Sequence, residues 1–89
     1  MTADVTLLTP PYNFAVVQLP ERKYPGVVFQ GDTLHSMTTQ ISEMQKLLEE
    51  HDLTNLSEEI RLLLDDLLKI QKSYERACSD QGIELPYFR

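Results

Sequence analysis

A chain of 89 residues, 42% hydrophobic and 25% charged, has the composition of one folded domain with a single modest core and not that of a disordered segment. Its one cysteine, Cys78, excludes an intramolecular disulfide framework. The formal net charge of −6 repels phosphate backbones, so nucleic acid is not an expected partner and a basic protein surface is.

The first third has the pattern of strands. Val5-Thr6-Leu7-Leu8 is a short β-rich run closed by Pro10-Pro11, Asn13 to Leu19 is a second stopped by Pro20, and Val27-Val28-Phe29-Gln30 is a third between Gly26 and Gly31. The connections are too short for helical crossovers, so the strands are expected to be antiparallel. Gly26 and Gly31 do not make a phosphate loop: a strand fills the gap between them and no Lys-Ser or Lys-Thr follows.

At Gly31-Asp32 the hydrophobic period changes. Leu34, Met37, Ile41, Met44 and Leu48 recur at spacings of three and four and share one helix face, with Asp32 or Thr33 placed to cap the helix start. Leu56, Ile60, Leu63, Leu67, Ile70 and Tyr74 repeat the pattern, and Leu64 and Leu68 widen it. Asn55 and Glu58 have capping-box spacing, and Gly82 suits a left-handed helix stop.

The short link around Glu50-His51-Asp52 makes the two helices antiparallel neighbours. The fold class expected is therefore α+β, a three-stranded antiparallel sheet followed by a helical hairpin, β-β-β-α-α. It forms a single domain, 1–89: a β part at 4–31, the hairpin at 32–82 packed over one sheet face, and an apolar tail at 83–89. The expected core is Phe14, Val16, Val27, Phe29, Leu34, Met37, Ile41, Met44, Leu48, Ile60, Leu63, Leu67, Ile70 and Tyr74.

Catalytic and metal chemistry find little support in the residue pattern. His35 and His51 are sixteen residues apart with no cysteine near either, so they are expected to be surface histidines, and no metal or cofactor is expected. Cys78 falls near a helix C-terminus, where the dipole opposes a thiolate. Asp65 and Asp66 are adjacent on a helix and point about 100° apart, so they do not converge on one substrate. The chain is expected to act as a binding protein and not as an enzyme.

Residues 1–31 are neutral: Asp4 and Glu21 offset Arg22 and Lys23. The remaining 12 acids and 6 bases therefore carry the whole −6. Glu49, Glu50, Asp52, Glu58, Glu59, Asp65 and Asp66 gather around and beyond the helix link, and they are the candidate contacts for a basic partner. Met1-Thr2-Ala3-Asp4 shows no basic region leading into an apolar run, and no stretch is long and apolar enough to span a bilayer. The expectation is a cytoplasmic protein that engages no membrane.

Two resemblances add to this reading. The segment Pro25-Gly26-Val27-Val28-Phe29-Gln30-Gly31-Asp32-Thr33-Leu34 resembles the strand-to-helix junction of HicB-type antitoxins, with a similar strand order over residues 4–48. Those antitoxins generally continue into further strands and often a DNA-binding segment, where this chain has a second acidic helix. The whole chain also resembles an uncharacterised family of small bacterial proteins. That likeness rests on Asn13-Phe14-Ala15-Val16-Val17, on the Pro25 to Asp32 segment, and on Gly82-Ile83-Glu84-Leu85-Pro86-Tyr87. The HicB likeness implies an antitoxin-like or immunity protein that occludes the basic site of a toxin. The alternative is a structural or adaptor module, a homodimer joined through the wide leucine face. A small-molecule sensor or enzyme ranks last, because so short a chain has little interior for a pocket.

Overall fold

The computed structural model describes residues 4–88. Three strands, β1 (Thr6–Leu7), β2 (Phe14–Gln18) and β3 (Gly26–Phe29), form an antiparallel sheet with β2 in the centre. Two helices, α1 (Gly31–Glu49) and α2 (Leu53–Asp80), complete the order β-β-β-α-α. The change of hydrophobic period at Gly31 marks the point where strand gives way to helix.

The register fixes which side chains enter the core. Val16 lies opposite Val27 and Phe14 opposite Phe29, while Ala15 faces Val28 and Val17 faces Gly26. Because side chains alternate along a strand, Phe14, Val16 and Val27 share the inner face, and Ala15, Val17 and Val28 share the other. Pro10 and Pro11 end the β1 ladder. The Leu8 amide still donates to the Val16 carbonyl at 2.8 Å, and the Val16 amide then donates to the Thr9 hydroxyl at 2.9 Å.

Against the inner face packs the C-terminal part of α2. Val16 and Cys78 are fully buried, Tyr74 and Ala77 nearly so, and Leu8, Phe14, Val27, Ile83 and Leu85 close around them. The Tyr74 hydroxyl donates to the Pro25 carbonyl at 2.8 Å, which ties the helix to the start of β3. The tail thus packs back through Ile83 and Leu85, as its composition suggests.

The hairpin does not lie flat on the sheet. Sheet and helices share a core mainly at the last turns of α2, and the earlier turns pair with α1 and project beyond it. The radius of gyration is 16.2 Å and the extents are 47 × 33 × 20 Å, where a compact chain of this length has a radius of about 12 Å.

This geometry corrects the expected core. Val16, Leu63 and Tyr74 are buried, and Phe14, Val27, Met37, Met44 and Ile70 are half-buried. Phe29, Leu34, Ile41, Leu48, Ile60 and Leu67 are exposed, and Leu47 is buried in their stead. A projecting helix pair has one covered edge, so each wide apolar stripe is covered along its inner side only.

The helix starts also differ from expectation. The N-cap of α1 is Gln30, which supplies no side-chain cap. Asp32 lies inside the first turn, where its carboxylate accepts from the Thr33 amide at 2.8 Å and complements the helix dipole. The N-cap of α2 is Asp52, three residues before Asn55. Its carboxylate accepts from the Asn55 amide at 3.3 Å and from the Asn55 side-chain amide at 2.7 Å. Leu53 extends the apolar stripe one turn earlier, and the helix starts there. No helix among the described residues is long and apolar enough to cross a membrane.

Both helices stop by the same device. Beyond α2, the Gly82 amide donates to the Ser79 carbonyl at 3.1 Å and the Ile83 amide to the Cys78 carbonyl at 2.9 Å. Beyond α1, the His51 amide donates to the Leu48 carbonyl at 3.0 Å and the Asp52 amide to the Leu47 carbonyl at 2.9 Å. This pair of bonds requires a left-handed residue between them. Gly82 supplies it with φ 67°, and His51 supplies it with φ 57°. A side chain in that conformation costs about 1–2 kcal/mol. In denaturant titrations His51→Gly is expected to hold or raise stability, and the β-branched His51→Val to lie about 1–2 kcal/mol below the glycine variant. Equal stabilities for the two would show that the link does not depend on the left-handed turn.

Candidate interaction surface

The acids that the sequence gathers around the link take up different tasks once folded. Glu49 ends α1, Glu50 is its C-cap, and Asp52 is committed to capping α2. Arg61 bridges Glu58 at 2.6 Å and Asp65 at 3.1 Å along the exposed side of α2. The hydrogen bond and charge of Arg61 hold the Glu58 carboxyl below its ordinary range. Glu59 is half-buried, and Asp66 lines a groove with Asn13, Thr33 and Lys69 where the hairpin leaves the sheet. Glu49, Glu50 and Asp52 sit at the hairpin tip, while the four acids of α2 run back along it in two rows about 100° apart, Glu58 with Asp65 and Glu59 with Asp66. Among the described residues no group of three His, Cys, Asp or Glu side chains converges to hold a metal.

A second surface runs beside the acidic one. Leu34, Ile41 and Leu48 of α1 recur every seven residues, as do Leu53, Ile60 and Leu67 of α2. With Leu64 and Leu68 they make eight large aliphatic side chains, each between 40 and 64% exposed. In each helix this stripe is rotated from the half-buried Met37, Met44, Leu56 and Ile70 in the same sense. In an antiparallel pair, equal rotation from the seam puts both stripes on one side of the hairpin. The intervening positions on that side are Thr38, Gln45, Ser57 and Gln71, which are uncharged. At about 100° per residue, every charged residue of α1 and of residues 53–71 falls outside this band. The sequence showed the leucine stripe, but only the geometry shows that its outer half is left uncovered.

The model of a family of unknown function, DUF6959, matches residues 1–87. The chain belongs to that family. No curated protein and no solved structure matches it.

At the other end of the hairpin, this DUF6959 member closes its core with two tyrosines. The Tyr74 and Tyr87 rings stack with centroids 6.5 Å apart, and the Tyr87 hydroxyl donates to Glu75 Oε2 at 3.1 Å. Between them and Pro25 lies an apolar groove lined by Val27, Leu67 and Ile70. Burial, and then the neighbouring Cys78, push the Tyr74 phenol up to about 12. The unfolded phenol titrates near 10, so folding favours its neutral form. That stability is fully present below pH ~10 and is lost as the pH rises through about 12. Tyr74→Phe leaves the Pro25 carbonyl without its donor, and stability at neutral pH is expected to fall by about 1–3 kcal/mol. Urea titrations of the two proteins at pH 7 and across the alkaline range check both points. The alkaline loss should be smaller in the variant, and equal loss would remove Tyr74 as its source.

Proposed function

We propose that this protein is a non-catalytic binding module, an adaptor or structural protein that engages a protein partner through the outer face of its helical hairpin. The observation that carries the reading is the charge-free aliphatic band of α1 and α2. In a chain with 25% charged residues, a solvated helix face is normally where the charges go. Exposed apolar patches of this extent, rimmed by polar residues, mark interaction sites. The free Cys78, buried in the core, is consistent with a reducing cytoplasm.

The charge pattern favours a second reading, in which the protein neutralises a toxin as an antitoxin or immunity protein does. Glu49, Glu50 and Asp52 at the tip, with Glu58 and Asp65 on the solvent side of α2 and Glu59 and Asp66 across the seam from the band, form an acidic margin around the hairpin. Such a margin would steer a basic partner into contact. The likeness of residues 25–34 to the HicB-type junction supports this reading as well. The two surfaces are compatible, since one supplies burial and the other steering.

A photo-crosslinking amino acid placed in turn at Ile41, Glu50 and Arg76 separates these readings in living cells. Ile41 lies on the apolar band, Glu50 at the acidic tip, and Arg76 on the side of α2 away from the band. Discrete protein adducts from position 41, and none from 76, are expected if the band is the contact. Adducts from position 50 alone would favour the acidic reading. Adducts from none of the three would overturn both.

A further inference from the structure

We infer that the occupant of the apolar band is a second copy of this chain, and that two hairpins stack face to face into a four-helix assembly. This rests on the reading of the band as a contact surface and names what covers it.

The area argues for it first. The chain exposes 7050 Å², whereas a compact monomer of 10.3 kDa exposes about 5,350 Å². The excess, roughly 1,700 Å², is about twice the ~800 Å² that each partner buries in a standard stable interface. The described residues hold eight buried hydrophobic side chains, of which Leu47 and Leu63 are the two that lie in the paired part of the hairpin. That part has an inner edge of core and no outer layer.

Complementarity argues for it second. A twofold dimer brings the same patch of each copy together, so the patch must suit itself. A charged patch would repel its own copy. Here the acids of a chain carrying −6 lie outside the band, and the band offers aliphatic side chains flanked by uncharged ones. Leu34, Ile41 and Leu48 run up one helix while Leu53, Ile60 and Leu67 run down the other. Ile41 and Ile60 therefore mark the middle of the patch. Heptad-spaced aliphatic residues on antiparallel helices are the pattern by which helix pairs interdigitate into four-helix layers. The acidic margins then face outward on both copies and stay open to solvent.

Sedimentation equilibrium on the purified chain tests the assembly. The expected mass is twice 10.3 kDa. Ile41→Glu and Ile60→Glu should each shift the dissociation constant up by at least a hundredfold, since each buries a charge at the centre of the interface. Arg76→Glu, on the other side of α2, should leave the mass doubled. A wild-type chain that stays monomeric from micromolar to near-millimolar concentration overturns the inference, whatever the variants do. So does a dimer indifferent to both glutamates, which would place the contact elsewhere, such as the outer face of the sheet at Leu7 and Val28. A glutamate variant that unfolds only at dilutions where the wild-type dimer also dissociates counts in favour, because folding and assembly are then linked. A monomeric chain whose position-41 adducts in cells contain a different protein would remove the second copy and leave the contact surface standing.

Discussion

Val16, Tyr74, Ala77 and Cys78 make the place where sheet and helix share an interior, and the position of that interior decides the shape of everything else. It lies at the last turns of α2, bolted by the Tyr74 hydroxyl to the Pro25 carbonyl and covered by Ile83 and Leu85. A three-stranded sheet with strands of two, five and four residues can cover only a few turns of helix. α2 has 28 residues and α1 has 19, so the hairpin outruns the sheet. Its far turns have each other and nothing more within one chain.

The aliphatic band follows from this mismatch. In a domain whose sheet matched its helices, Ile41, Ile60 and Leu67 would meet a second layer. Here they remain about half exposed. Leaving so much apolar surface in water forfeits roughly 25 cal/mol for each Å² that could be covered, which is a heavy loss for a small domain. The charges of the chain are arranged as though that surface were covered. Glu58 and Asp65 are paired with Arg61 beside the band, and no charged side chain of the paired turns enters it.

Much of the fold was legible in the chain. The switch from alternating strands to a period near three and a half at Gly31-Asp32 gave the element order, and Pro10-Pro11, Pro20 and Pro25-Gly26 bounded the strands. Gly82 announced the stop of α2 because its lack of a Cβ makes the left-handed turn easy. His51 makes the same turn without any residue-type signal, since its backbone is set by the bonds of Leu47 and Leu48 to the residues after them. Asn55 and Glu58 have the spacing of a cap, yet Asp52 is the N-cap, because Leu53 carries the apolar stripe one turn further back. The Tyr74–Pro25 bond joins residues 49 apart in sequence, beyond the reach of any local pattern. The candidate site was half legible for a related reason. Periodicity marks Leu34, Ile41, Leu48, Ile60 and Leu67 as apolar positions on helices, and it is the same whether a sheet or another chain covers them. The acids were visible as a cluster, whereas their division between capping, pairing with Arg61 and lining the groove beside the sheet needed the fold.

On the proposed assembly, the interior of one chain is too small for its apolar surface and a second copy completes folding. Thermal unfolding of the wild-type protein over a wide range of chain concentration tests this most directly, because a folded state that includes two copies is stabilised by mass action. The midpoint should rise steadily with concentration. A midpoint that stays fixed from the lowest to the highest concentration would mean that the single chain is complete by itself, and would contradict the account.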